Sequence, residues 1–274
     1  MSNLTLRPDL LTHTADPHAK IGKYTTWDAF QVFKLYLEDN NKLSTQEAFE
    51  TLYQMMPDEY FEASAEEDDL SCVIVQVARQ VPYWHPSQAK LIGLVQLLGT
   101  ADKFNKQIPG PGYATYDKLG SLLQEVYERH WHFVHDETGP DQLLNLSAFV
   151  ARLTTGGIAT ERSYFVWCMR RLECEAEHIT STDVQVAAVW ALCAGHIFFN
   201  QLVLYPPSET DHHKQIYRCE TFYIGPIFGR ERWDFWHRRM AELCGSEAEF
   251  DDETRALGRK AADLMAALSR SLEW

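Results

Sequence analysis

No two cysteines of this chain stand as C-x-x-C. The six, Cys72, Cys168, Cys174, Cys193, Cys219 and Cys244, follow no spacing that suggests a disulfide framework. Free thiols in a reducing compartment, most simply the cytosol, are the expectation. The N-terminus, MSNLTLRPDL, lacks the cationic and apolar pattern of a secretory leader. G-x-S-x-G is absent, and no cysteine has the neighbours of a known nucleophile. H-E-x-x-H, G-x-G-x-x-G and G-x-x-x-x-G-K-[S/T] are absent too. No nucleotide, redox or pyridoxal cofactor is therefore signalled, and an enzyme built on this chain would work with side chains alone. Basic residues are in short supply: 25 Lys and Arg face 39 Asp and Glu, a formal net charge of −14. That balance disfavours nucleic acid and anionic membranes as partners, since both call for a basic surface.

Strand signals are missing as well. No segment alternates for long, no strand runs into a glycine loop, and no internal repeat appears. What remains is a succession of helical patterns. The 274 residues are 45% hydrophobic and 12% aromatic, with eight Trp, enough for an ordered core in one large domain or two small ones. Residues 1–24 read as a polar arm with Pro8 and Pro17. Thr25 can cap a helix to about Asp39, and Ser44–Glu47 is a capping box for a helix ending near Met56. The acidic run Glu66–Asp69 opens a helix toward Pro82, the one place where a β-branched run makes a strand conceivable. Pro86 suits the first turn of a helix to about Ala101. Ile108–Gly112 is a loop, Thr115 to about Phe133 is helical, and Thr138-Gly139-Pro140 breaks the chain. Glu161–Ala176 forms the next helix. Thr182 or Asp183 can cap a long apolar one that stops at Pro206-Pro207. Residues 208–229 read as a connection, and helices over Arg230–Leu243 and Asp251–Leu272 close the chain. The expected architecture is all-α: one helical domain over 25–274, about ten helices around a central apolar one.

That apolar stretch, Val184–Tyr205, is nearly long enough to span a bilayer. Gln185, His196, Asn200 and Gln201 interrupt it, and no Lys or Arg bias flanks it, which favours the central helix of a soluble bundle over a membrane span.

The most informative segment is LLNLSAFVARL, residues 143–153. It is an apolar helix that carries one amide, Asn145, and one cation, Arg152. Seven residues apart, they fall within about 20° of each other, with Phe149 on the same stripe. A guanidinium on an apolar helix face is costly unless it is paired or put to use. Either the helix holds an internal structural pair, or it points polar groups into a buried cavity.

Other motifs are weaker. RWDFWHRRM (232–240) gathers Trp233, Trp236, His237 and Met240 on one face: a docking face for the core, or an aromatic wall for an apolar conjugated ligand. His130, His132 and His135 form H-x-H-x-x-H. Positions two apart on a helix diverge, so only His132 and His135 could share a metal, and no metal site is expected. His212-His213 reads as solvated loop. Neither Glu66–Asp69 nor Asp251–Glu253 has the spacing that helical terpene cyclases use to hold magnesium diphosphate. Tyr83-Trp84-His85-Pro86 places two rings and an imidazole at a helix entrance. His196 interrupts the long apolar helix, with Trp190 on a different stripe.

Four segments in order, LLNLSAFVARL (143–153), YFVWCMRRLE (164–173), VAAVWALCAGHIFF (186–199) and GRERWDFWHRRM (229–240), resemble the fungal family DUF3632 over about residues 80–243. Asn145, Phe149, Ala151, Arg152, Trp190, Gly195, Trp233 and Trp236 match family positions. His196 stands where the family pattern carries an acid. The resemblance implies a fungal protein of secondary metabolism, and the thiols place it in the cytoplasm. Some helical proteins of this general kind are hetero-Diels–Alderases that join a tropolone or phenolic o-quinone methide to a humulene-type sesquiterpene, without metal or cofactor.

Such a pericyclase must hold apolar partners face to face and keep water from the quinone methide. Positioning is worth up to ~7–11 kcal/mol in the best intramolecular systems, and one donor on a developing oxyanion roughly 3–4 kcal/mol. On that reading Arg152 and Asn145 are the donors. Tyr83, Trp84, Phe149, Trp190, Trp233 and Trp236 are substrate-binding, and His85 or His196 assists loss of water. The partners would be apolar conjugated small molecules, and a homodimer is left open. The rival readings are a non-enzymatic helical binding or scaffold protein, and a cofactor-free isomerase or dehydratase using a His–acid pair.

Overall fold

The computed structural model describes residues 4–10, 16–20, 23–38, 42–56, 65–101, 103, 139–157, 162–175, 178–218, 222–245 and 250–272. Every regular element among them is a helix, so the chain is all-α. The helices form two compact units, Met1–Ala159 and Thr160–Trp274.

The first unit contains α1 (Thr26–Leu37), α2 (Thr45–Met55), α3 (Ala65–Gln80), α4 (Ser87–Thr100) and α5 (Pro140–Thr155). Caps set their starts where the sequence predicts. Thr25 Oγ1 accepts the amide of Asp28 at 2.9 Å. Ser44 and Glu47 form the reciprocal capping box. Pro140 occupies the first position of α5, where its missing N–H costs nothing. Pro86 departs slightly from expectation, standing just before α4 at its N-cap. The β-branched run of α3 is helical. Val73, Ile74, Val75 and Val77 are all buried, and tertiary packing overrides their strand preference. At the centre lies α5, on which every residue from 143 to 151 is buried. The N-terminal arm docks on this unit. Leu4 and Leu6 are buried, and the amides of Leu6 and Arg7 donate to Glu38 Oε1 (2.9 Å) and Gln80 Oε1 (2.6 Å).

The second unit contains α6 (Arg162–Arg170) with a 3₁₀ turn over Arg171–Glu173, and α7 (Ser181–Phe199) with a π-helical turn over Asn200–Leu204. It continues with α8 (Asp211–Tyr217), α9 (Arg230–Gly245) and α10 (Asp252–Arg270). Three sequence expectations are corrected here. The helix expected over 161–176 is shorter, because the chain tightens at 171–173 and Cys174 is extended, with ψ 169°. The cap of α7 is Thr180, not Thr182 or Asp183. Thr180 Oγ1 accepts the amide of Asp183, whose carboxylate accepts the amide of Thr180, so Asp183 closes a capping box. The expected connection over 208–229 contains α8, too short at seven residues to show a period. His213 therefore lies on a helix and not in a loop, its ring 5.8 Å from Tyr217 and 5.3 Å from Phe228.

Along α7, Val184, Ala188, Trp190, Ala191, Ala194 and Phe198 are buried. Ser181–Leu204 is long and apolar enough to cross a membrane, and 61% of its most apolar window is buried inside the structure. A packed core helix passes the same test. Gly258 lets α9 and α10 approach closely: a Cβ there would lie 2.3 Å from Cys244 Sγ. Gly229, with φ 113°, turns the chain into α9 through a backbone region that L side chains rarely adopt. The 108–112 loop, the 115–133 helix and His130, His132 and His135 lie outside the described residues.

Candidate functional site

The Asn145 amide bonds to backbone at two places, both on the α3–α4 side. Its Oδ1 accepts the N–H of Tyr83 at 2.8 Å, and its Nδ2 donates to the carbonyl of Arg79 at 2.9 Å. The second bond satisfies one of the four carbonyls left open at the end of α3. Gln88, on the first turn of α4, adds two more: its Nε2 donates to the carbonyls of Val81 (2.8 Å) and Asn145 (3.2 Å). Asn145 and Gln88 together lock the α3–α4 turn onto α5. His85 and Ser87 finish the turn. His85 Nδ1 accepts the amide of Ser87 at 3.2 Å, which places the proton of a neutral ring on Nε2, and Ser87 Oγ donates to the carbonyl of Leu37 at 2.7 Å. His85 is buried and Tyr83 half-buried, while Trp84 presents 56% of its surface to solvent from this clamped turn. Phe149 is fully buried.

Arg152 behaves differently. It is half-buried on the same stripe of α5, and its Nη1 is buried with no hydrogen-bond partner. The stripe thus carries an amide fully engaged with backbone and a cation with donor capacity left over.

The second unit gathers the other aromatic candidates. Trp190, Trp233 and Trp236 are almost wholly buried. Phe165 stacks on Phe198 at 4.4 Å and lies 5.8 Å from Trp233 and 6.0 Å from Trp236, and Phe199 meets Trp233 edge-on at 5.1 Å. Trp190 lies 5.9 Å from Phe198. Trp233 Nε1 donates to the carbonyl of Met265 at 3.1 Å. These rings form the core of the unit.

Beside them is a buried ion pair that sequence reasoning missed. Arg232 Nε and Nη2 donate to the two carboxylate oxygens of Glu173 at 2.7 and 3.1 Å. Arg232 Nη1 donates to the carbonyl of Ile227 (2.9 Å), Nη2 to that of Tyr217 (2.6 Å), and Trp236 Nε1 to Glu173 Oε1 (2.7 Å). The guanidinium also lies over the Trp236 ring at 5.0 Å. Both charges are buried, which is tolerable only because nearly every lone pair and proton has a partner. The signal was present in the quoted segments: an acid ends YFVWCMRRLE, and an arginine directly precedes Trp233. Neither identifies its partner 59 residues away. Nearby, burial first and then the Glu231 carboxylate push the Tyr223 phenol well above its ordinary range. A Cβ at Gly225 would collide with the Tyr223 hydroxyl at 2.3 Å.

The remaining candidate, His196, is exposed on α7. A His–acid pair exists elsewhere: His237 Nε2 lies 3.5 Å from Asp234 Oδ1, which also accepts Ser269 Oγ at 2.6 Å. Burial, its largest influence, lowers the affinity of His237 for a proton. The expected site residues therefore divide. Asn145, Tyr83, Trp84, His85, Phe149 and Arg152 belong to the first unit, and Trp190, His196, Trp233 and Trp236 to the second. Asn145, Tyr83 and His85 meet at one clamp. No group of three or more His, Cys, Asp or Glu able to hold a metal occurs among the described residues.

The fold and these two polar centres define an all-helical protein whose distinctive residues lie between α3 and α9. The model of the family DUF3632, a protein family of unknown function, matches residues 72–240. The chain belongs to that family. No curated protein and no solved structure matches it.

Proposed function

We propose that this DUF3632 protein is a cofactor-independent enzyme of small-molecule metabolism. In this reading the first unit binds an apolar, conjugated substrate and directs the Arg152 guanidinium at an oxygen that gains negative charge. The observation that carries the proposal is the buried Nη1 of Arg152 without an acceptor. A buried donor left unpaired costs about 1–3 kcal/mol, more for a charged group, and a substrate oxygen would remove that cost. Asn145 is the positioning residue: its amide is engaged with backbone, so it holds the wall and leaves donation to Arg152.

The particular reaction proposed is the hetero-Diels–Alder addition of a tropolone or phenolic o-quinone methide to a humulene-type sesquiterpene, as the family resemblance implies. A guanidinium at the heterodiene oxygen would stabilise charge developing there. Arg152→Met tests it, in cells supplied with both partners and with products separated by chiral chromatography. Loss of yield or of stereochemical bias in a folded variant is expected. Unchanged yield and stereochemistry would remove Arg152 from the mechanism.

A second reading, a non-enzymatic binding or scaffold protein, has its own support. Trp190, Trp233 and Trp236 pack within the core of their unit, where they serve stability.

A further inference from the structure

Residues 1–24 read as a polar arm, yet its start is seated on the first unit. Leu4 and Leu6 are only 8% and 1% exposed, while Thr5 and Arg7 face solvent. That alternation belongs to an extended segment with one face on the protein. Pro8 favours it, because the residue before a proline is biased toward extended backbone. Pro8 then opens a 3₁₀ turn, Pro8–Leu10, which ends the segment.

Two consecutive backbone amides hold the arm, and both acceptors are side chains at helix ends. The N–H of Leu6 donates to Glu38 Oε1, directly after α1, and that of Arg7 to Gln80 Oε1, on the last residue of α3. Gln80 Nε2 donates back to the carbonyl of Gln76 at 3.2 Å, which fixes Oε1 as the end that faces the arm. Each anchor is one peptide unit from a bond that steadies the α3–α4 turn. The carbonyl of Leu37, next to Glu38, accepts Ser87 Oγ at 2.7 Å. The carbonyl of Arg79, next to Gln80, accepts Asn145 Nδ2 at 2.9 Å. The arm therefore ties the end of α1 to the end of α3, and the α3–α4 turn is bonded through those same two ends.

We infer that the N-terminal arm is a strap that controls the α3–α4 turn. Seated, it fixes both helix ends and so holds Tyr83, exposed Trp84 and His85 in place. Released, it frees the turn to open while α5 stays packed. The strap is the lighter element of the two. Leu4, Leu6 and the bonds to Glu38 and Gln80 work against the entropy of ordering the segment, whereas α5 is buried throughout 143–151. This device stands apart from the role proposed for Arg152.

Native-state hydrogen exchange of the full chain in low urea, read by NMR, tests the strap. The amides of Leu6, Arg7 and Tyr83 should exchange through one shared opening with the same dependence on urea, and that of Phe149 in α5 only through a larger one. Leu6→Asp unseats the arm and leaves both anchors and the clamp residues unchanged. In that variant the Tyr83 amide should exchange roughly tenfold or more faster relative to Phe149. Exchange of Leu6 and Arg7 well ahead of Tyr83 in the unaltered protein would overturn the inference, because the turn would then hold without its strap. A single opening shared with Phe149, or equal acceleration of Tyr83 and Phe149 in Leu6→Asp, would overturn it too, since the arm would then serve only overall stability. The comparison within the unaltered protein decides the matter even where Leu6→Asp does not fold.

Discussion

Each unit carries an arginine on a packed helix, half-buried Arg152 in the first and buried Arg232 in the second, and the two are treated in opposite ways. Arg232 in the second unit is matched by a bidentate carboxylate, two backbone carbonyls and an indole face. Arg152 in the first unit keeps a buried Nη1 with nothing to bond. Folding alone accounts for the first arrangement, since a buried charge needs compensation. It does not account for the second, which raises the cost of folding and fits a group set aside for a ligand.

Breaking the first arrangement should have the largest effect. Glu173→Ala leaves Arg232 charged and buried, and is expected to cost about 3–5 kcal/mol of stability, read by urea denaturation of the purified variant. A loss under ~1 kcal/mol would mean that Arg232 reaches solvent. Asn145→Ala comes next. It removes the bonds that Asn145 makes to the N–H of Tyr83 and the carbonyl of Arg79, for an expected ~2–4 kcal/mol by the same method. Amide exchange should then quicken at Tyr83 ahead of the α5 core.

A smaller effect belongs to Thr180→Ala, which removes one half of the α7 capping box at a cost of about 1 kcal/mol. The pH dependence of the second unit sharpens the contrast further. His237 holds its proton less readily when folded, chiefly through burial. As pH falls through the imidazole's ordinary value near ~6.5, the unfolded chain takes up this proton first. The His237 contribution is therefore complete above that pH and declines below it. His237→Gln should flatten the loss of stability between neutral and mildly acidic pH in a denaturation series.

Much of the fold was legible because its signals are local. Thr25, the Ser44–Glu47 box and Pro140 mark helix starts through contacts within one turn. The α8 helix escaped because seven residues carry too little period, and Thr180 because Thr182 and Asp183 offered equally plausible oxygens nearby. The site was half legible. The stripe of Asn145, Phe149 and Arg152 follows from helical spacing, and its polar members were the right residues to question. That Asn145 binds backbone while Arg152 does not depends on the α3–α4 turn, more than 60 residues away in sequence. Gln88 and the Glu173–Arg232 pair were hidden for the same reason. A glutamine in a helix, or an acid ending one, reads as ordinary surface until the chain brings its partner.

The smallest expected change in stability carries the central claim. Arg152→Met keeps the apolar stem and removes a donor without an acceptor. Urea denaturation of the variant, paired with tropolone titration of the same sample, measures both consequences at once. Stability no lower than that of the unaltered protein, with tropolone binding weakened roughly tenfold or more, is the predicted result. A loss of several kcal/mol with binding intact would show that Arg152 holds the fold as Arg232 does, and would contradict the account.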